Sequence, residues 1–482
     1  MNPTTPSLQK NKRAESGYIR FGMSIQLILV DVICLLLAAG IAIGLWSLVN
    51  PTLEPAYYLR LLPLVPLFIL LYASSGLYPA IGISPVEELR RLSLATTFMF
   101  LGLAAISFYV RNAEAFSRAA FGLAWILSLL LIPIGREVYR SLASRTPIWG
   151  EPVALYGFGE RGRGLFVFLQ KNPQIGLKPR VIIGDPGDST NLPEGVTFFT
   201  TAEILAGSAN RALDDVHTAI LVKDEIALEI INRTIDEPLT HFAHIILLSD
   251  LLPIGSIWVT PYDMGGVLGL EIRQNLLSKR QQFTKRLLDL GITFAILPVL
   301  IPALALITLL VMLDSPGNPF FTHPRIGHNG GIIKVLKFRT MVQNAQQVLQ
   351  EYLSANPEAQ QEWNDSRKLK HDPRVTRIGW FLRKFSLDEL PQVWNVLKGE
   401  MSLVGPRPIV EEEIPYYGTY FSLYKQVKVG ITGMWQISGR NDVDYSDRVR
   451  LDSYYVRNWS VWLDIYILMH TAATVLSGKG AY

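Results

Sequence analysis

Four short clusters in the last third of this sequence carry side chains that could work on phosphorus. They are Lys337-Phe338-Arg339-Thr340-Met341, Ser386-Leu387-Asp388-Glu389-Leu390-Pro391-Gln392, Gly405-Pro406-Arg407-Pro408, and Gly430-Ile431-Thr432-Gly433 running on to Gly439-Arg440. Neighbouring carboxylates near arginines and lysines are what phosphoryl chemistry on a membrane surface needs. One carboxylate can attack phosphorus, another can help hold Mg²⁺, and guanidinium groups bind phosphate oxygens bidentately. Ser386-x-x-Glu389 also fits a capping box whose acids merely favour the helix dipole. Pro391 argues against it: with Ser386 as cap, the proline falls where a backbone donor is already required. A helix starting near Asp388 puts Pro391 in the first turn and both acids at the positive end, where a phosphate is welcome.

The elements that must position these residues are dominated by lipid. The chain has 482 residues, room for about three domains at roughly 150 residues each. Only 18% of residues are charged and 49% are hydrophobic, whereas soluble domains carry about 25% charge. So many apolar residues with a net charge of only +4 exclude a disordered chain. Cys34, the single cysteine, excludes a disulfide scaffold, and seven scattered histidines give no zinc-type cluster. No basic domain of the kind that wraps nucleic acid is present.

Charge-free stretches locate the membrane. Residues 61–81, 92–110 and 119–135 hold no Lys, Arg, Asp or Glu, and residues 21–49 hold only Asp31. About 20 apolar residues cross the hydrocarbon, so four transmembrane helices are expected before residue 140. The long charged stretch before the first run does not read as a cleaved signal peptide. Lys10, Lys12, Arg13, Arg20, Arg90, Arg91, Arg136, Arg140 and Arg145 fall on one side, against Arg60, Arg111 and Arg118 on the other. That bias places the N-terminus and everything after residue 140 in the cytoplasm. Asp31 reads first as a carboxylate reaching the cytoplasmic interface, and second as a polar site inside the bundle.

A fifth apolar run, residues 290–313, is long enough to span, yet both its flanks are basic. Pro298 and Pro302 lie within it, each removing a backbone donor. A helix that dips in, breaks and returns to the same face satisfies both facts; a kinked spanning helix is the simpler alternative. Between the bundle and this run, β-branched segments at residues 153–156, 181–184, 219–222 and 243–248 alternate with helical stretches, which reads as a parallel α/β sheet. Gly157-Phe158-Gly159-Glu160-Arg161-Gly162 follows the first of them, with Asp185 after the second. This is the pattern of a dinucleotide fingerprint, or of a tight turn in an inert or regulatory scaffold.

On these residues the chain resembles the polyprenyl-phosphate hexose-1-phosphate transferases, the bacterial sugar transferase family, and within it the galactose branch. Residues 386–408, SLDELPQVWNVLKGEMSLVGPRP, are the specific part of the likeness, which extends to the terminal Gly480-Ala481-Tyr482. The resemblance implies a multi-pass membrane protein of mixed α and α/β class. Residues 1–20 would be a cytoplasmic tail, 21–140 a four-helix transmembrane bundle and 150–270 a Rossmann-like cytoplasmic domain. Residues 280–313 would be a re-entrant membrane helix and 314–482 a mostly helical catalytic domain. Lys285, Arg286, Asp289 and Pro302 match the family's re-entrant helix, although Ile301 stands where the family often has serine.

The resemblance further implies that Asp388 attacks the sugar-linked phosphorus of a UDP-hexose, galactose before glucose, and releases UMP. Undecaprenyl phosphate then takes the phospho-sugar from the aspartate. Glu389 would assist, Mg²⁺ would bridge Asp388 and the diphosphate, and Arg383 and Arg407 would hold phosphate oxygens. Lys337 and Arg339 would make phosphate or nucleotide contacts, and Arg440 belongs to a matched motif of looser role. A homodimer in the bacterial inner membrane is implied by likeness alone, and the product could feed O-antigen, capsule or exopolysaccharide.

Two other classes compete. An NAD-linked sugar-nucleotide oxidoreductase or epimerase would explain the glycine loop, but no Tyr-x-x-x-Lys pair lies near it and the Asp388 region stays unused. A transporter or polysaccharide-chain regulator needs polar residues inside the membrane, and Asp31 is nearly the only candidate. The C-terminal Tyr454, Tyr455, Trp459, Trp462 and Tyr466 would suit an interfacial helix or ordinary core packing.

Overall fold

The structure, a computed structural model, describes residues 6–51, 54–109, 117–146, 148–184, 192–193, 195–205, 213, 215–222, 242, 244–248, 259–263, 268–272, 276, 278–366, 369, 371–438 and 444–477. Asp185, Arg440 and the terminal Gly480-Ala481-Tyr482 lie outside these residues. The chain forms two compact units, Met1–Pro253 and Ile254–Tyr482.

In the first unit the apolar runs become α1 (Pro6–Val49), α2 (Val65–Ser74), α3 (Pro85–Tyr109) and α4 (Arg118–Ala143). The second run departs from the expected 61–81. Pro55 opens a 3-10 helix reaching Leu64, Pro66 restarts the chain as α2, and the helix stops at Ser74. Proline suits these first turns because its missing donor is not needed there. Gly76 and Gly82 then adopt φ of +70° and +71°, which makes residues up to 82 a turn rather than a helix. Counting the long helix of the second unit, five helices among the described residues are long and apolar enough to cross a membrane.

Asp31 does not reach the interface. It is fully buried, and Arg136 donates to it through Nε at 2.8 Å and Nη2 at 2.6 Å. Arg136 also meets Glu88 at 2.6 Å, Arg140 meets the same Glu88 at 2.5 Å, and the Tyr78 hydroxyl donates to Asp31 at 2.5 Å. Two carboxylates and two guanidiniums from α1, α3 and α4 thus neutralise one another inside the bundle, which is how charges survive away from water.

After the bundle, β1 (Glu151–Tyr156), β2 (Leu177–Gly184), β3 (Thr197–Thr200), β4 (Thr218–Val222) and β5 (His244–Leu248) form one parallel sheet in the order β3-β2-β1-β4-β5. The four expected strands are present, and β3 is additional. The glycine loop connects β1 to α5 (Glu160–Lys171): Gly157 takes φ +94°, and a Cβ on Gly162 would lie 2.2 Å from the Gly157 carbonyl. Both glycines are thereby explained by backbone geometry.

The second unit opens with the antiparallel pair β6 (Val259–Asp263) and β7 (Leu268–Ile272), followed by a single helix, Lys279–Asp314. Pro298 and Pro302 sit inside that helix, so the carbonyls one turn back, on Phe294 and Pro298, lose their helical donors, yet the helix runs on through both prolines without the expected break. Beyond it come the hairpin β8 (Phe320–Ile326) and β9 (Ile332–Phe338), several short helices, the parallel pair β10 (Ser402–Val404) and β11 (Gly430–Thr432), and two final helices, Tyr445–Asn458 and Val461–Ser477.

Arg136→Ala would leave Asp31 and Glu88 facing each other without Arg136. Stability of the detergent-purified protein is expected to fall by about 3–5 kcal/mol, read as a lower melting temperature. Pairing the change with Asp31→Asn should recover part of the loss.

Candidate active site

Four elements bring the acidic pair and its cations together. β9 ends in the Lys337-Phe338-Arg339 motif, and its side chains pack through Phe338 against Leu382 and Leu387. The helix Arg377–Lys384 carries Arg383 and is capped by Thr376, whose hydroxyl accepts from the Gly379 N–H. Gly379 must be glycine, because an added Cβ would sit 2.1 Å from the Thr340 carbonyl. That close approach lets the Arg383 Nε donate to the Thr340 hydroxyl at 2.9 Å.

The acids themselves stand in a short 3-10 helix, Leu387–Gln392, which passes directly into the helix Val393–Lys398. No capping box forms, since the Ser386 side chain makes no cap hydrogen bond. The turn begins at Leu387, not as an α-helix at Asp388, and six residues of 3-10 helix supply little of the expected dipole. What holds the turn is Asn395, only 2% exposed. Its amide donates to the Lys334 carbonyl at 2.8 Å and to Glu400 at 2.6 Å, while its oxygen accepts from the Leu336 N–H at 3.1 Å. Ser386 is left in the left-handed region at φ 53°, a conformation that costs energy in any residue but glycine.

Charge within this turn is uneven. Glu389 pairs with the Lys337 ammonium at 2.6 Å. Asp388 makes no ion pair among the described residues, and its carboxyl is pushed up to about 6, by burial first and then by the Glu389 charge, with Lys337 and Arg383 pulling the other way. Burial holds the Arg383 guanidinium below its ordinary range, while the charge of Asp388 acts against that shift. Asp388 is therefore a carboxylate more basic than usual and open to a cation or an electrophile. No group of three or more His, Cys, Asp or Glu among the described residues could hold a metal alone. The donor set fits Mg²⁺, which commonly takes one or two carboxylates and completes its shell with water and substrate phosphates.

The remaining expected residues divide. Arg339 turns away from the acids: its Nη2 donates to the Ser315 carbonyl where the long helix ends, and its backbone N–H donates to Pro319. Arg407 lies beside the indole of Trp435, 5.2 Å from the ring centroid, and its backbone N–H donates to Asp452 at 3.3 Å. Lys285 contacts Asp464 at 2.7 Å and Asp289 at 3.6 Å, and Asp289 accepts from the Ser402 hydroxyl at 2.8 Å and the Leu403 N–H at 3.2 Å. Arg286 donates to the Val396 and Leu397 carbonyls at 2.5 and 2.9 Å. Pro302 lies mid-helix, far along from these three. The glycines of Gly405-Pro406 and Gly430-Ile431-Thr432-Gly433 serve the contact of β10 with β11. A Cβ on Gly405 would lie 2.7 Å from the Gly430 nitrogen, and one on Gly433 would lie 2.4 Å from the Gly405 carbonyl. Thr340 falls inside the Lys337–Met341 cluster and Asn395 inside residues 386–408, but neither stretch marks their bracing roles, and Gly379 lies in no motif; a small residue opposite a buried carbonyl becomes visible only in three dimensions.

Comparison with known proteins covers this site and more. Residues 280–478 match the bacterial sugar transferase family. The undecaprenyl-phosphate galactose phosphotransferase of Salmonella typhimurium is 37% identical over 388 residues, which is 80% of each chain. The UDP-glucose:undecaprenyl-phosphate glucose-1-phosphate transferase of Escherichia coli is 31% identical over 380 residues, 74% of this chain and 76% of that one. The exopolysaccharide production protein ExoY of Sinorhizobium fredii is 49% identical over 199 residues, 41% of this chain and 88% of that protein.

Gly379→Ala should drive the helix Arg377–Lys384 away from Thr340 and cost about 1–3 kcal/mol. Gly164→Ala, where an added Cβ meets open space on a helix, should leave the melting temperature unchanged or slightly raised. Thermal melts of both variants check the contrast.

Proposed function

The chain belongs to the bacterial sugar transferase family, and from that premise we propose that it moves hexose-1-phosphate from a UDP-hexose to undecaprenyl phosphate. It is a phosphoglycosyl transferase. The observation that carries the assignment of the reacting group is the contrast within the acidic pair: Glu389 is neutralised by Lys337, whereas Asp388 is half-buried, unpaired and more basic than an ordinary carboxylate.

An Asp388 oxygen attacks the sugar-linked phosphorus; the bond from that phosphorus to the bridging oxygen breaks, and UMP departs with the bonding pair. An oxygen of the lipid phosphate then attacks the same phosphorus. The aspartyl–phosphorus bond breaks, Asp388 is restored, and a lipid-diphosphate sugar results. Lys337 holds Glu389, so that the second carboxylate does not add its full charge against the incoming phosphates, and Arg383 offers its guanidinium to the phosphate oxygens. Mg²⁺, held by Asp388 with help from Glu389, would supply charge neutralisation for the diphosphate.

The long helix Lys279–Asp314 is re-entrant on this reading. Its start is tied to Asp464, Ser402 and the Val396 carbonyl, and its end to the same unit, because Asp314 accepts from the Ile378 N–H at 2.9 Å and Val311 packs on Phe338 and Leu382. Its buried residues Lys285, Asp289, Thr293, Leu300 and Val311 fall on one helical stripe, while Phe294, Val299, Ile301 and Leu313 are exposed on the rest. A crossing helix would put its two ends on opposite faces of the bilayer, whereas both ends of this one are held by the unit that carries the acidic pair. The basic bias of the N-terminal tail and loops supports a cytoplasmic face for the middle and catalytic domains, where UDP-sugars are found. The identities to the galactose and glucose relatives favour galactose, and the product would enter surface-polysaccharide synthesis.

Membranes given sugar-labelled UDP-hexose, Mg²⁺ and undecaprenyl phosphate should yield UMP and labelled lipid, fastest with UDP-galactose in a panel of donors. Asp388→Asn should reduce labelling by several orders of magnitude, and Glu389→Gln nearly as far; full activity in Asp388→Asn refutes the nucleophile. A cysteine placed at the exposed Ser446 should resist a membrane-impermeant maleimide in intact cells and react after lysis. Labelling from outside would put the site beyond reach of its donor.

A further inference from the structure

We propose that Arg448 and Arg407 form a second phosphate-binding site, a clamp of two guanidiniums set on the indole of Trp435, in the unit that carries the acidic pair. The proposal rests on the transfer reading above and adds a residue that none of the four motifs contains.

Trp435 is buried in the short helix Met434–Ile437. The Arg448 guanidinium carbon lies 4.6 Å from its ring centroid, and that of Arg407 lies 5.2 Å away. Tyr445 adds a second ring 5.3 Å from Arg448. Cation–aromatic contact fixes where the two guanidiniums sit but leaves their N–H groups unused. Neither guanidinium makes a hydrogen bond or ion pair with a described residue, and the Arg448 Nε is buried without a partner. The other half-buried arginines of this unit differ: Arg374 pairs with Asp372 at 2.6 Å, and Arg325 lies 3.7 Å from Glu413.

Nearby acids balance these guanidiniums only in part: Glu413, already 3.7 Å from Arg325, also acts on Arg448. Asp452 is buried behind Arg407, accepting from the Arg407 N–H and from the Tyr417 hydroxyl at 2.7 Å. Burial pushes its carboxyl up to about 7, so its charge is incomplete near neutral pH, and its Oδ1 has no partner. Burial and then the Arg407 charge hold Arg448 below its ordinary range, and the same two causes act in the same order on Arg325. Arg325, whose Nη1 donates to the Pro408 carbonyl at 3.5 Å, stands on the hairpin β8–β9 that also carries Lys337, the partner of Glu389. Like charges held together beside unused donors are what a phosphate, with several oxygens and more than one negative charge, would satisfy.

The reaction brings two such groups to Asp388 in turn, the nucleotide phosphate that leaves and the lipid phosphate that attacks. Their shared chemistry is a terminal phosphate oxyanion. The full chain in detergent, as wild type, Arg448→Ala and Arg448→Lys, is assayed with UDP-hexose and undecaprenyl phosphate varied separately. In parallel, stabilisation by UMP is measured thermally on Asp388→Asn, alone and combined with Arg448→Ala. Arg448→Ala should raise one KM by about tenfold or more and leave the other within twofold. Arg448→Lys should restore only part, since lysine lacks the planar fork. A raised KM for UDP-hexose, with UMP stabilisation lost in the double variant, assigns the clamp to the nucleotide. A raised KM for undecaprenyl phosphate, with UMP stabilisation intact, assigns it to the lipid. Unchanged KM values in both variants, or a fall in kcat and melting temperature alone, overturn the clamp. Full activity in Asp388→Asn would instead remove the transfer mechanism, while the UMP measurement would still report on Arg448.

Discussion

The catalytic unit depends on one buried group of charges. Lys285 and Asp289 lie in the charged opening turns of a helix that is uncharged from Leu290 to Leu313, and Asp464 lies on the final helix. Asp464 accepts from Lys285, from the Tyr455 hydroxyl at 2.7 Å and from the Trp459 ring at 3.1 Å, while Asp289 accepts from β10. Two carboxylates and one ammonium at so little exposure persist only where nearly every oxygen has a donor. The donors come from the long helix, β10, the helix Tyr445–Asn458 and Trp459 just after it, and the final helix supplies Asp464, so the long helix is tied to the body that carries the chemistry. Arg286 adds two bonds to the carbonyls closing the helix that follows the acidic turn. The membrane helix and the acidic pair are consequently separated by a single short helix, Val393–Lys398, and by Asn395 within it.

That connection explains the uneven chemistry of the acids. A turn pinned by Asn395 on one side and by the packing of Leu387 on the other cannot rotate to share Lys337 between two carboxylates. One acid keeps the lysine, and the other keeps a raised proton affinity. Ser386, in its left-handed conformation, marks where the backbone yields to make this possible.

Much of this was legible from residue order. Uncharged runs identified the long apolar helices, compatible with a membrane, because hydrocarbon tolerates little else, and the alternation of β-branched segments with helical ones identified the parallel sheet. The acidic pair announced itself through Pro391, which spoils the bland capping explanation. Other features were hidden because sequence separation conceals distance. Nothing near Asp31 names Arg136 as its partner 105 positions away. The end of α2 at Ser74 came from glycine and proline backbone preferences that hydropathy ignores. Arg339 shares a tripeptide with Lys337, and two positions apart the pair would share a face if the strand continued; β9 ends at Phe338, so Arg339 leaves that alternation and braces the exit of the long helix while Lys337 meets Glu389. Gly405, Gly430 and Gly433 stand in clusters grouped with the phosphorus chemistry and are spacers that let two backbones touch.

The neutral quartet of the bundle has a bearing on biogenesis. Asp31 leaves the ribosome on the first helix, Glu88 on the third, and Arg136 and Arg140 only on the fourth. Until that last segment emerges, the earlier ones hold anionic side chains with no counter-ion in the hydrocarbon. An uncompensated carboxylate costs roughly 3 kcal/mol at the middle of an inserting helix, so the late arrival of the fourth helix removes a penalty that the first one carries alone.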